Sequence, residues 1–532
     1  MFACYHPEIP ATLDSGKPMP SKIIFRIAYV LAFAITIAGV VAIVIRRSTQ
    51  VQAAPAHTST NADVASVPPA PVAPGAAKTA KIAPPGSTLY VVAKGESLPG
   101  ILHRFLPNTT YMTGHELEAA VRQANPDLKG IFPKAGTEII IPNYAPMPWT
   151  EKPVSVPKDF EVRAVYLTHT MAGSANGLEI VKRWRAQGGN AVVFDIKDSD
   201  GSLGTPFDYP LAPKQKSFPM RNVAKFTRFV HQQGMHAIAR IAIFRDEELV
   251  THHPELAVQS RANHVAWKEN GKLVWTDPSH KEVQDYNIAL AKYAASQGAD
   301  EVQFDYVRFP AEGDQKDAKF MYEATNPNWQ RKDVITNFLA RAHEALKPYN
   351  VLFSIDVFGV MAWQRNIDLS HTGQSIPEMA KNCDVMSPMI YPSHFYGMDG
   401  IKEPGDAPEH FISESMDRFV KSTAGTGVVL RPWLQAFGWR TKTYSPEYIR
   451  IQVAASKSHS GNGFLFWNAR NDYAKPYAAM PEMKAAKDVK EKFFRGDEVK
   501  DFSGKATPAP VPTAPVTTTT SSLEKPSNPA VQ

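Results

Sequence analysis

From about residue 160 onward, short runs of β-branched and other apolar residues alternate with stretches whose apolar positions recur every three or four residues. That alternation predicts a parallel sheet wrapped by helices. Eight strand segments stand out, at 162–168, 191–196, 236–243, 302–307, 351–357, 385–391, 428–436 and 464–468. Between them, Val283, Tyr286, Leu290 and Tyr293 share one helical face, as do Val334, Phe338, Ala342 and Leu346. Ser445 followed by Pro446 predicts a helix N-cap with proline in the first turn. Gly188, Gly189, Gly234 and Gly298 fall where helices should stop before the next strand. Eight such βα units in about 330 residues fit an α/β fold of the (β/α)8 TIM-barrel type with loop insertions. A doubly wound open sheet would want a glycine-rich phosphate loop after its first strand, and Leu167 to Gly173 has no such pattern.

In a barrel of this kind the C-terminal strand ends face the active site, so acids there read as chemistry. Asp195, Asp305 and Asp356 occupy those ends, with Tyr391, Gln435, Trp467 and Asn468 on the later strands. Asp305 and Asp356 end the fourth and fifth strands, which are neighbours. Carboxyls so placed can approach to roughly 5–5.5 Å, the separation used by retaining glycosidases. One carboxylate then attacks the sugar carbon while the other, kept protonated by burial or by its partner, protonates the leaving oxygen. Arg308, three residues beyond Asp305, is expected to hold that carboxylate ionised as a nucleophile requires. Asp356 is then the acid, and Glu312 in the following loop is the reserve candidate. Asp195 is expected to position a sugar hydroxyl, or to pair with Lys197. Tyr391 and His394 are candidate hydrogen-bonding partners of the substrate, and Trp439 and Trp467 candidate stacking platforms for a sugar ring.

Residues 160–500 contain three motifs that carry a resemblance: Phe304-Asp305-Tyr306-Val307-Arg308-Phe309-Pro310, Phe194-Asp195-Ile196-Lys197-Asp198 and Met389-Ile390-Tyr391-Pro392-Ser393. This segment resembles the glycosyl hydrolase barrel families, domains of unknown function related to the α-amylase-like superfamily. The resemblance implies the fold and a glycosidase activity, with the fourth-strand acid Asp305 as nucleophile. The fifth-strand acid of that superfamily is usually Glu, whereas Asp356 has an arm one methylene shorter.

Upstream, Leu89–Val92 predicts a strand, Gly95 a turn, and Gly136 to Pro142 a closing strand. With Asn125-Pro126 between them, residues 88–143 resemble a LysM domain, a βααβ module that binds N-acetylglucosamine-containing glycans such as peptidoglycan or chitin. The resemblance implies glycan contacts, largely through the backbone, around Gly95, Glu96, Ser97, Asn125 and Pro126. Glu96-Ser97 stands where that family usually has Asp-Thr, and residues 106–115 lengthen the middle.

The surplus length changes the picture at both ends. Residues 27–45 form an uncharged, mostly apolar run flanked by Lys22 and Arg26 before and Arg46 and Arg47 after. At helical rise it spans roughly 30 Å, a hydrocarbon thickness, and predicts a single transmembrane anchor with residues 1–26 cytoplasmic. A cleaved signal peptide is the alternative, with a small-residue site near Ala53. Residues 46–87 read as a Pro/Ala-rich linker and 506–532 as a disordered Pro/Thr-rich tail. The barrel would then be periplasmic or extracellular. A net charge of +6 suits an acidic wall or membrane surface, yet no basic run interleaved with aromatics predicts a nucleic-acid partner.

Metal chemistry is not expected. Thr168-His169-Thr170 holds one histidine, adjacent His252 and His253 point apart, and Tyr209 stands where a calcium loop beginning at Asp198 needs its closing Glu. No cofactor is expected either. Together these features predict a membrane-anchored, cell-wall-directed glycoside hydrolase acting on a polysaccharide. The alternatives are a non-catalytic glycan-binding scaffold and an α-glucan hydrolase.

Overall fold

The computed structural model describes residues 81–480. The N-terminal segment, the apolar run at 27–45, most of the linker, residues 481–500 and the tail lie outside the described residues. Among the described residues no helix is long and apolar enough to cross a membrane.

A small βααβ unit comes first. Strand β1 (Ser87–Val91) pairs antiparallel with β2 (Glu138–Pro142), and helices α1 (Leu98–Phe105) and α2 (Gly114–Ala124) lie between them in the chain. Each helix begins where the sequence satisfies its free amides. Ser97 accepts from the Gly100 amide at 3.2 Å, and Thr113 with Glu116 forms a reciprocal capping box. Leu98, Ile101, Leu102, Leu117, Val121, Ile139 and Ile141 close the core of this unit. The unit rests on the barrel through Lys225, whose Nζ donates to the Leu106 carbonyl at 2.7 Å and also to the Tyr111 carbonyl.

Eight parallel strands then close into a barrel: β3 (Val162–Leu167), β4 (Ala191–Lys197), β5 (His236–Ala242), β6 (Glu301–Asp305), β7 (Leu352–Phe358), β8 (Val385–Ile390), β9 (Trp433–Gln435) and β10 (Gly463–Trp467). Each pairs with the next, and β10 pairs back onto β3, with Gly463 opposite Val162. This is the barrel the alternation predicts, with two local differences. The seventh predicted strand is split: Val429–Leu430 is one short strand and β9 the next, because Pro432 between them has no amide to donate. The fourth ends at Asp305 rather than Val307, because Tyr306 takes a left-handed backbone with φ +53°.

Strand alternation sorts the core into two layers. One face of each strand packs on the helices, among them α3 (Ala175–Ala186), α4 (Val223–Gln232), α5 (Lys281–Ser296), α6 (Arg331–Leu346), α7 (Pro408–Ser422) and α8 (Pro446–Ser458). Ser445 caps α8 with Pro446 in its first turn, as the sequence predicts. The other face fills the barrel interior with Val162, Ala164, Tyr166, Ala191, Val193, Ile238, Trp433 and Leu465. Lower in that interior sits a buried ion pair, Arg431 Nη1 to Glu301 Oε2 at 2.8 Å, with His236 Nε2 3.2 Å from the same oxygen. A lone buried charge would be expelled, so these groups are tolerated only as a set.

Candidate active site

The inward series of most strands ends in a polar or aromatic residue. Tyr166 follows Ala164 on β3, Asp195 follows Val193 on β4, and Arg240 follows Ile238 on β5. Asp305 closes β6, Asp356 lies near the end of β7, and Trp467 closes β10. Asp195, Arg240, Asp305 and Asp356 are all buried. A cleft of about 180 Å³ opens over them, with Asp305, Asp356, Arg240, Arg308, Tyr391 and Trp467 in its walls.

Arg240 organises the acids. Its Nη1 donates to Asp195 Oδ1 at 2.6 Å, and its Nη2 and Nε donate to Asp305 Oδ2 at 2.6 and 3.2 Å. Nε also lies 4.0 Å from Asp356 Oδ2. One guanidinium therefore faces three carboxyl groups inside a low-dielectric barrel, where not all three can ionise cheaply. Asp356 is pushed furthest toward its protonated form: burial, then repulsion from Asp305, raises its carboxyl well above the usual range. Its Oδ1 accepts from Trp433 Nε1 at 2.7 Å, and its buried Oδ2 has no hydrogen-bond partner among the described residues. Burial also pushes Asp195 up to about 7, against the pull of Arg240 and of the Tyr166 hydroxyl that donates to its Oδ2.

The strained residue after Asp305 helps aim it. Tyr306 in its left-handed conformation donates its amide to Asp305 Oδ1 at 2.6 Å, so both carboxylate oxygens are fixed. Trp467 stacks on Tyr166 with ring centroids 4.1 Å apart and lies 5.2 Å under the Arg240 guanidinium. Tyr391 is buried in the cleft wall, and His394 packs beside it at 5.4 Å. Burial, reinforced by Arg440, lowers His394 to about 4, so it is neutral at ordinary pH. Trp439 continues outward from His394 at 5.1 Å and is 48% exposed.

Two expected pairings are corrected. Arg308 does not hold Asp305; Arg240 does, because the backbone turn at Tyr306 sends Arg308 into an aromatic cage instead. Lys197 does not pair with Asp195. It is buried on the helix side, at 2.8 Å from both Asp246 and Asn287, because a β-bulge between Asp195 and Lys197 shifts the register there. Glu312 stands outside the cleft wall, where Asn270 donates to it at 3.0 Å. Arg240 is the residue that sequence reasoning missed. A cation amid the apolar run of β5, on the face that Ile238 points inward, was the available signal.

In the small unit, the side chains singled out for glycan contact serve the fold. Asn125 is buried; it donates to the Val121 and Ile140 carbonyls at 2.8 Å and accepts the Ile140 amide at 2.9 Å. Glu96 takes the Ala93 amide at 2.8 Å, the Tyr90 hydroxyl at 2.6 Å and Arg104 at 2.6 Å. Ser97 caps α1, Gly95 turns with φ +83°, and Pro126 is exposed. Among the described residues no cluster of His, Cys, Asp or Glu is placed to hold a metal ion.

A family model described as "Putative glycosyl hydrolase domain" matches residues 164–473, from within β3 to beyond β10. A hypothetical protein from Ruminiclostridium thermocellum is 35% identical over 36% of this chain and 97% of its own, with a TM-score of 0.32. The glycoside hydrolase domain of PgaB (BpsB) from Bordetella bronchiseptica is 16% identical over 62% of this chain and 98% of its own, at TM-score 0.46. The spore cortex-lytic enzyme SleL of Bacillus megaterium is 13% identical over 77% of this chain and 98% of its own, at TM-score 0.36. No curated protein matches the chain.

Proposed function

Since the chain belongs to this glycosyl hydrolase family, we propose that its barrel hydrolyses glycosidic bonds with Asp305 as nucleophile and Asp356 as general acid and base. One observation carries the reading. A carboxylate paired to Arg240 stands in the same cleft as a second carboxyl kept protonated by burial and by the first. Two acids with opposed protonation are what glycoside hydrolysis requires. Asp305 attacks the anomeric carbon as Asp356 passes its proton to the departing oxygen. Asp356, now ionised, then takes a proton from the water that releases the sugar from Asp305. Both Oδ2 atoms lie within 4.0 Å of Arg240 Nε, which is compatible with the short separation of a retaining pair. Arg308, Tyr391 and His394 would contact the sugar and Trp467 and Trp439 would stack on its rings, whereas Asp195, fully buried with both oxygens taken by Arg240 and Tyr166, would act through Arg240 rather than on a sugar hydroxyl.

Cell-wall direction belongs to the same proposal. The βααβ unit supports a LysM-like role, with exposed backbone around Gly95 and Pro126 as the glycan-facing edge. The uncharged 27–45 run supports anchoring to a membrane with the barrel outside it. The test is reducing-end release from purified peptidoglycan and chito-oligosaccharides by the full-length chain. Co-sedimentation with insoluble peptidoglycan and membrane fractionation run beside it. Tight binding of these glycans with no turnover would favour a non-catalytic scaffold, and turnover of starch alone an α-glucan hydrolase.

A further inference from the structure

Arg308 is a buried cation with no counter-ion among the described residues. It is only 8% exposed, it lines the cleft beside Asp305, and no carboxylate among the described residues lies within ion-pair distance of it. Among the described residues the guanidinium makes one hydrogen bond, from Nη1 to the Phe309 carbonyl at 3.0 Å. In place of an acid, aromatic faces hold it: Phe358 at 4.4 Å, Trp275 at 4.6 Å and Tyr306 at 5.6 Å from the guanidinium carbon. Such faces stabilise the charge and fix the plane of the fork, yet they leave its remaining N–H groups unmatched. Asp305 and the loop acids Glu269 and Glu312 act on it only from longer range, and Arg245 opposes them. Burial accordingly draws the guanidinium below its ordinary value.

Every other fully buried cation near the site is neutralised from within the chain. Arg240 has Asp195 and Asp305, and Lys197 has Asp246. A guanidinium that is desolvated, oriented and left without an acid in a substrate cleft is a receptor for an anion carried by the ligand, because a planar fork matches a carboxylate bidentately. A sugar hydroxyl would fill one donor without supplying the missing charge.

We infer that Arg308 binds a carboxylate carried by the substrate, so that the glycan cut here is acidic at the sugar bound beside Asp305. This rests on the hydrolase reading only for the word cut; the anion site stands on its own geometry. The shared chemistry is a sugar-borne carboxylate, whether the C6 acid of a uronic sugar or the lactyl ether acid of N-acetylmuramate.

The experiment titrates the full-length chain with three matched pairs: glucuronate against glucose, galacturonate against galactose, and N-acetylmuramate against N-acetylglucosamine. Affinities come from calorimetry or saturation-transfer NMR. At least one acidic member should bind on the order of 10-fold more tightly than its neutral partner, and which pair responds identifies the source of the acid. Arg308→Gln should erase that preference, Arg308→Lys should keep part of it, and Asp305→Asn should keep it. Equal affinity within every pair, no binding by any acid, or a preference that survives in Arg308→Gln overturns the inference. The wild-type comparison decides the matter even if Arg308→Gln fails to fold. Turnover of a neutral glycan without acid preference would leave the hydrolase and remove the anion site. Acid preference without turnover would do the reverse.

Discussion

Arg240 grips Asp305 through two nitrogens, Nη2 at 2.6 Å and Nε at 3.2 Å, while its remaining terminal nitrogen holds Asp195 at 2.6 Å. The cation that fixes one acid thus fixes the spacing of two. Arg240→Met leaves both carboxylates buried without their partner. Removing one member of a buried ion pair costs about 3–5 kcal/mol, so urea denaturation should show a loss of that order. Turnover should fall at least 10²-fold in whatever fraction remains folded. A variant as stable and active as the parent would show that the acids do not depend on this guanidinium.

Protonation of Asp356 gives the alkaline limb of the pH profile. Because burial and Asp305 raise its carboxyl, kcat/KM should be level while Asp356 stays protonated and fall as pH rises through the raised value. Trp433 donates to Asp356 Oδ1 and so favours the ionised form. Trp433→Phe should therefore move the limb to higher pH, and substrates with good leaving groups should show little limb at all. An unmoved limb that vanishes in Glu312→Gln would transfer the acid role to Glu312.

The two tryptophans should separate cleanly. Trp439 is half exposed at the rim, so Trp439→Ala should raise KM several-fold with kcat and stability nearly unchanged, within about 0.5 kcal/mol. Trp467 stacks on Tyr166 and lies under Arg240, so Trp467→Ala should lower kcat as well as affinity. Steady-state kinetics on one soluble glycan reads both. Equal effects from the two would deny the rim its separate role.

His231 supplies a stability prediction at the far end of the barrel. Asp300 and Glu151 outweigh its burial and raise it to about 10, with Asp300 Oδ2 3.0 Å away and Glu151 Oε1 at 3.6 Å. A histidine raised on folding stabilises fully below its unfolded value of about 6.5, and that contribution is lost as pH climbs towards 10. The increment is on the order of 5 kcal/mol. Unfolding free energies of the parent and of His231→Gln should converge between pH 6.5 and 10. A constant gap across that window would contradict the assignment.

How far the sequence reached follows from the range of each signal. Strand and helix positions were legible because alternation and helical spacing are local, and caps such as Ser445 with Pro446 are fixed by neighbours. Asp305 and Asp356 were legible because a barrel puts strand ends at one mouth. Pairings were not. Arg240 and Asp305 are 65 residues apart, and only barrel closure brings them together. Arg308, three residues from Asp305, looked like the partner, but the left-handed turn at Tyr306 redirects it. Lys197 was likewise close in sequence to Asp195 and turned away by a bulge. Proximity along the chain misled wherever one residue in between broke the alternation.

The central claim is that Asp305 attacks and Asp356 delivers the proton. Its most direct measurement is the turnover of full-length Asp305→Asn against the parent on peptidoglycan and chito-oligosaccharides, with binding of the same glycans followed in parallel. Asparagine keeps the size but cannot form the ester. Turnover should therefore fall on the order of 10⁴-fold or more while affinity changes little. A variant that binds and hydrolyses like the parent would contradict the account.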